Sequence, residues 1–317
     1  MKRLFIKDIT NDSEVNDYFV VAKKGVYNSR NNKKYMALRL KDSTGSIEAR
    51  AWDAVDELSV GFEKNDIVYV QSRARAYQDA VQLNVTAIRK VEEDLSIDDM
   101  RDFYPQSEAV DDGLTGRFDA LVQGFSNPSI VALFERLGAR KDIMERYFSY
   151  PASVGVHHVS ISGLLLHSVT VAEMGRRVAP LSGGDMDLVV AGALLHDVGK
   201  VEEITVKGGF RHSDRGRLLG HITLGVMLLD ELLDGMENFP PHVADVLRHI
   251  IVSHHGETEW GSPKRPMCIE ALVVHYLDNL DAKTVGVKEH MKESMEDENW
   301  TQYHRLYESR FYKIPER

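Results

Sequence analysis

Between residues 18 and 90 apolar and polar positions alternate with a period of two, in runs broken by turn residues. YFVVAKKGVY (18–27), KYMALRLKD (34–42), GSIEARAW (45–52), DIVYVQSRARAY (66–77) and AVQLNVTAIRK (80–90) read as five strands. DSTG predicts a tight turn between the second and third strands, and DAVDELSVGF (53–62) a short helix or irregular connector before the fourth. From about residue 118 the spacing changes to three and four, as in ISGLLLHSVTVAEMGRRVAP, MDLVVAGALLHDVGK, HVADVLRHIIVSHHG and IEALVVHYLDNLDAKTVGVKEHM. The chain therefore reads as multidomain, a small all-β module at 1–90, a linker at 91–117 and an all-α module at 118–317.

Five strands with one insertion after the third is the plan of an OB-fold barrel. The alternation sorts its two faces. Met36, Leu38, Leu40, Ile47, Ala49, Ala51, Val68, Val70 and Ala74 point inward, which leaves Tyr35, Arg39, Arg50, Trp52, Arg73, Arg75 and Tyr77 outside. Rings interleaved with arginines suit single-stranded nucleic acid, because bases stack on the rings and guanidinium groups follow the phosphates. The same residues could instead pack on the rest of the chain or on a second subunit of a homo-oligomer.

Composition narrows the class. A hydrophobic fraction of 43% and a charged fraction of 28% over 317 residues suit a water-soluble protein of two domains. No apolar run reaches the roughly 18 residues that a membrane span needs. The start, MKRLFIKDITND, turns polar too early for a secretory signal. The one cysteine, Cys268, lies in an apolar helical pattern and suits core filling, so a reducing cytoplasmic setting is the expectation. The net charge of −10 argues against nucleic acid until its distribution is read. Residues 1–90 hold 16 Lys and Arg against 12 Asp and Glu, whereas residues 91–119 hold 2 against 10. A mildly basic barrel is thus followed by an acidic, partly helical linker.

The candidate chemistry lies where polar residues interrupt apolar helices. His167 interrupts GLLLHSV, His196 and Asp197 end GALLHDVGK, His221 starts GHITLG, His254 and His255 end IIVSHHG, and Asp278 lies in VVHYLDNLD. Each would carry an uncompensated polar group into a core. Convergence on divalent metal ions removes that cost for all of them together. Imidazole and carboxylate without thiolate suit Mn²⁺, Fe²⁺, Co²⁺ or Zn²⁺.

The order H…HD…H…H…D resembles the HD-domain metal-dependent phosphohydrolases. The whole chain resembles the bacterial YhaM-type 3′–5′ exoribonucleases, which join an OB fold to an HD domain. ISGLLLHSVTVA, DLVVAGALLHDVGK, LLGHITLG, IIVSHHGETEWGSPKRP and EALVVHYLDNLDAKT carry that resemblance. It implies two divalent ions, with Mn²⁺ the leading expectation, held by His167, His196, Asp197, His221, His254 and Asp278. Asp197 would bridge them, and His255 would be a ligand or a substrate contact. Asp281 would orient a ligand histidine, and His157 and His158 would cap or touch substrate. The implied reaction is in-line attack of an activated water on phosphorus at the 3′ end of single-stranded RNA, or also of single-stranded DNA. It releases 5′-mononucleotides. Asp197 and Lys200 are the expected catalytic residues, the Lys200 ammonium neutralising phosphoryl charge, while Arg211, Arg215 and Arg217 are candidates for flanking phosphates. The competing expectations are an HD hydrolase of a small nucleotide, such as a cyclic dinucleotide or a triphosphate, and a non-catalytic nucleic-acid-binding factor.

Overall fold

The computed structural model describes residues 1–29, 31–78, 80–93, 95–105, 113–154, 160–206, 208–294 and 299–314. The chain divides into two units, Met1–Glu108 with Ile204–Asp214, and Ala109–Glu203 with Arg215–Arg317.

In the first unit the alternating segments close a barrel. Its strands are β1 (Glu14–Asn28), β2 (Lys34–Asp42), β3 (Gly45–Ala51), β4 (Ile67–Tyr77) and β5 (Ala80–Lys90), in the order β1-β2-β3-β5-β4. The β3–β5 pair is parallel and the others are antiparallel. Met36, Leu38, Leu40, Ile47, Ala49, Ala51, Val68, Val70 and Ala74 fill the interior, as their period predicts. The connector between β3 and β4 holds one helical turn, α1 (Val55–Leu58).

The acidic segment after β5 does not run free. Its Val91, Leu95, Met100, Phe103 and Tyr104 are buried, and Ser96 caps the short helix α2 (Ile97–Met100). A two-stranded hairpin, β6 (Ile204–Thr205) and β7 (Arg211–His212), also belongs to this unit, although helical segments flank it in sequence. Ile67 N–H donates to the Gly208 carbonyl at 3.1 Å, Phe210 packs on Tyr104 at 4.8 Å, and Arg211 pairs with Asp66. The expectation of an all-α stretch from 118 to 317 therefore needs correction at this hairpin. Its strands are only two residues long, too short to show a period.

The second unit is helical. It contains α3 (Leu114–Val122), α4 (Pro128–Ala139), α5 (Lys141–Ser149), α6 (Gly163–Ser182), α7 (Met186–Leu195), α8 (Lys200–Glu203), α9 (Asp214–Leu233), α10 (Pro241–Ser253) and α11 (Ile269–Glu293). Helix α7 is apolar on every side, and Val189, Val190, Ala191, Ala193, Leu194 and Leu195 are all buried. Beyond its first turn such a helix has no solvent face and becomes the centre of the bundle, with α6, α10 and α11 around it. The Asp185 side chain fixes its start by accepting from Leu188 N–H at 3.0 Å. After α11 the chain closes a bridged loop through Trp300 with Tyr312 and His304 with Ser309. No helix among the described residues is long and apolar enough to cross a membrane.

Candidate metal centre and barrel face

The central helix α7 delivers the first ligands at its C-terminal end, where His196 is the cap residue and Asp197 follows. Gly199 explains the next step of the motif. A Cβ there would lie 2.0 Å from the His221 carbonyl oxygen and 2.4 Å from Gly225 N, so only glycine lets this turn meet α9. Gly220, at φ 70° and ψ 157°, breaks α9, and His221 opens a new helical stretch beside Asp197.

The two carboxylate oxygens of Asp197 face two different groups. Asp197 Oδ2 lies 3.6 Å from His167 Nε2 and 3.4 Å from His196 Nε2, and Asp278 Oδ1 lies 3.1 Å from His167 Nε2. Asp197 Oδ1 lies 3.5 Å from His221 Nε2 and 3.6 Å from His254 Nε2. His167, His196 and Asp197 form one set with ligand atoms within 4.8 Å of one another, and His221, His254 and His255 form a second. His196 and His254 are 0% exposed, Asp197 2% and His167 4%, so bulk water solvates these groups little.

The outer nitrogens settle which way each ring presents. Nδ1 of His196 donates to the Ala193 carbonyl and Nδ1 of His254 to the Ile251 carbonyl, both at 2.7 Å. Nδ1 of His255 donates to the Trp260 carbonyl at 2.8 Å. His167 Nδ1 is held by Asp281 at 2.6 Å, and His221 Nδ1 faces Glu203 at 3.3 Å. With Nδ1 used in this way, each Nε2 turns inward, the orientation that metal-binding histidines need.

The electrostatics show what the cluster lacks. Burial opposes charge on His167, but Asp278 and Asp281 outweigh it and push its pKa up to about 10. Burial, with His196 nearby, holds His254 well below the ordinary imidazole value, and burial with His221 also lowers His255. Burial works against the Asp197 carboxylate, yet Lys200 and His196 keep it well below the usual range. Asp197 Oδ1, His221 Nε2 and His254 Nε2 are buried with no hydrogen-bond partner among the described residues. Three inward lone-pair atoms without donors are costly unless a cation satisfies them. The residues fit divalent metal on both sides of Asp197.

His167, Asp197, His254 and Asp278 of this cluster form the floor of a cleft of about 700 Å³ whose walls include Lys200, His255, Trp260, His275, Asn279, Lys283, Leu306 and Tyr307. Lys200 Nζ donates to Asp197 Oδ2 at 2.5 Å. Asp278 faces the inner nitrogen of His167 and Asp281 its outer nitrogen. Of the three candidate arginines, Arg215 pairs with Glu202 and Arg211 with Asp66, so these two serve their own units, and Arg217 is exposed. His157 and His158 lie outside the described residues. The sequence reading missed Glu203, which holds both the backbone N–H and the ring of His221, and it missed Trp260, Lys283 and Tyr307. Glu203 carries a faint signal, one helical turn past Gly199. The other three reach the cleft only through tertiary placement.

On the barrel, Tyr35 and Trp52 stack with centroids 5.1 Å apart, and Tyr27 lies 5.9 Å from Tyr35. The Arg50 guanidinium sits 5.5 Å from the Tyr35 ring and 5.7 Å from the rings of Trp52 and Tyr77. Strand register carries this face onward, with Arg50 opposite Asn84 and Asn84 opposite Arg73. Arg39 donates to Ser46 at 3.1 Å, while Arg73 and Arg75 turn to Asp12. Three of the four outward arginines are therefore engaged with polar or acidic neighbours, and Arg50 alone of the four stands within the rings.

Comparison with known proteins matches both halves. The HD domain family matches residues 164–283, and the OB-fold nucleic acid binding domain family matches residues 19–91. The chain is 35% identical over 277 residues to a 3′-5′ exoribonuclease YhaM of Bacillus subtilis (strain 168), covering 85% of each chain. This chain belongs to the YhaM family. A second YhaM, from Bacillus velezensis, is 34% identical over 279 residues and 86% of each chain. Among solved structures, the HD domain of the Listeria monocytogenes phosphodiesterase PgpH aligns at 19% identity and a TM-score of 0.26, over 42% of this chain and 70% of that one. YhaM membership thus spans both units, and the barrel and the helical unit are the family's OB and HD parts.

Proposed function

We propose that this chain is a metal-dependent 3′–5′ exoribonuclease that shortens single-stranded RNA from its 3′ end and releases 5′-mononucleotides. The observation that carries the reading is Asp197, whose two oxygens each face a separate set of inward ligand atoms, in a chain that shares its full plan with YhaM. His167, His196, Asp197 and Asp278 would hold one ion, and Asp197, His221 and His254, with His255, the other. When bound, two such ions supply Lewis acidity to a phosphoryl oxygen and acidify water.

The chain's own residues do the rest. Asp281 and Glu203 fix the rings of His167 and His221 in the presenting orientation. Lys200 pairs with Asp197 and stands at the cleft wall, where its ammonium can turn to the phosphoryl oxygens as charge develops. The low exposure of His196 and His254 strengthens the electrostatic interactions around them. Arg50, Tyr35, Trp52 and Tyr77 give the barrel a stacking surface for single strands, and Arg39, Arg73 and Arg75 extend it with positive charge once phosphate competes with their exposed partners. A nitrogen and oxygen ligand set without thiolate is compatible with Mn²⁺, the leading expectation, as with Fe²⁺, Co²⁺ or Zn²⁺, and the single unpaired cysteine suits the cytoplasm.

The test is a pair of labels. RNA labelled at its 5′ end gives a ladder of shortening products, and 3′-labelled RNA releases a labelled 5′-mononucleotide from the start. Internal cuts in circular RNA, or products with a 3′-phosphate, overturn the proposal.

A further inference from the structure

The metal cluster occupies only the floor of the 700 Å³ cleft, and the remaining wall has different chemistry. Helix α11 lines it with Asp278, Asn279, Ala282 and Lys283, the i, i+1, i+4 and i+5 positions of one face. The backbone rises about 7.5 Å along the helix axis from Asp278 to Lys283, at about 1.5 Å per residue. That is on the scale of one nucleotide from its phosphate to its base. At the Lys283 end stand two aromatic rings, Trp260 and Tyr307, with Leu306 beside them.

Contacts within the protein hold the Trp260 backbone and the Tyr307 ring. The backbone of Trp260 is tied to the cluster because its carbonyl accepts from His255 Nδ1, and Lys283 Nζ lies 5.8 Å over its indole. Tyr307 is braced by His304 at 4.7 Å and Phe311 at 5.6 Å, and its hydroxyl donates to the Lys283 carbonyl at 3.4 Å. Yet Trp260 remains 54% exposed and Leu306 66% exposed. A half-exposed indole beside a partly exposed phenol ring, both at one end of a polar, metal-ready floor, is a poor solution for folding alone and a good one for a planar π-system attached to a phosphate.

We propose that Trp260 and Tyr307 form a stacking site for the 3′-terminal nucleobase, with Lys283 as its cationic rim. This rests on the exoribonuclease reading of the cleft and adds the part of the substrate that the metal residues do not touch. Stacking accepts every base, so the site grips the terminal nucleotide without choosing its identity.

The experiment compares two 5′-labelled RNA oligonucleotides, one ending in an ordinary 3′ nucleotide and one in an abasic 3′ nucleotide. With wild-type protein, removal of the first abasic residue is about 5- to 100-fold slower in kcat/KM than removal of the first ordinary nucleotide. In Trp260→Ala the ordinary substrate falls to near the abasic rate while the abasic rate hardly changes, and Trp260→Phe recovers most of the difference. Equal wild-type rates on the two substrates overturn the stacking site and leave the exoribonuclease reading intact. A penalty on the abasic substrate that persists undiminished in Trp260→Ala and Tyr307→Ala also overturns it. Absence of wild-type release from both oligonucleotides counts instead against the parent reading.

Discussion

The floor of the helical cleft and the outer face of the barrel are both built from polar residues that break an apolar pattern, yet they obey different physics. In the cleft the polar groups are buried, each outer nitrogen is spoken for, and the inner atoms face one another. On the barrel the groups are mostly exposed, and Arg73 and Arg75 have turned to Asp12 while waiting. A buried polar cluster has few arrangements that avoid a large penalty, so its geometry is complete before the ligand arrives. An exposed arginine loses little by pairing with a nearby acid and little by leaving it. The cleft is therefore specified by the protein, and the barrel face by the protein together with what it binds.

The strongest way to break this comparison is at the shared carboxylate. Asp197→Ala should lower hydrolysis by more than about 10³-fold, the scale of several kcal/mol of lost Lewis acidity, and should reduce bound metal measured by elemental analysis. Wild-type turnover in that variant after thorough metal removal sinks the assignment. Next in size is Lys200→Ala, expected to lower kcat by about 10²-fold with little change in KM, because its charge matters most in the transition state. A rise in KM alone would make Lys200 a binding residue.

Asp281→Asn and Glu203→Gln leave every direct ligand in place and remove only what orients His167 and His221. Each should weaken metal affinity by about 10- to 100-fold in a titration. Asp281 also has a pH signature. The His167 pKa in the metal-free protein is raised to about 10, so its stabilising contribution is complete below the ordinary imidazole value of about 6.5 and is lost as pH rises through about 10. Melting curves of metal-free protein should show that alkaline loss, and Asp281→Asn should shrink it. If Asp281→Asn proves more damaging than Asp278→Asn, the two carboxylates have exchanged roles.

The barrel should give the smallest and most conditional effect. Trp52→Ala or Arg50→Ala should weaken binding of long single strands by about 1–3 kcal/mol, measured by fluorescence anisotropy, and leave hydrolysis of a dinucleotide nearly unchanged. Added salt should weaken long-strand binding further. Equal losses on long and short substrates would mean that the ring cluster around Arg50 is structural.

The comparison also explains what could be read from the residues alone. The strands were legible because Met36, Leu38 and Leu40 alternate with Tyr35, Ala37 and Arg39, and a closed barrel leaves only that solution. The metal cluster was legible because His167, His196 and His254 sit inside runs of Leu, Val and Ile, where a polar group needs a reason. Trp260, Lys283 and Tyr307 were not, since a tryptophan after a turn and a tyrosine near the end of the chain look like ordinary surface until folding brings them to one cleft. The engagement of Arg73 and Arg75 with Asp12 was hidden for a similar reason. Asp12 reaches them from before β1, 61 and 63 positions away.

The hairpin at Ile204–His212 bears on how such a protein can be taken apart or recombined. A gene fragment ending at residue 108 encodes every strand of the barrel but omits the segment that covers Ile67 and packs Phe210 on Tyr104. It also strips Asp66 of its Arg211 partner. Such a fragment exposes apolar surface that the intact chain never shows, and it should aggregate where the full chain does not. Exchange of domains between relatives meets the same obstacle, because a transplanted helical part brings a hairpin matched to a different barrel. The two units are interleaved along the chain, so they are inherited together.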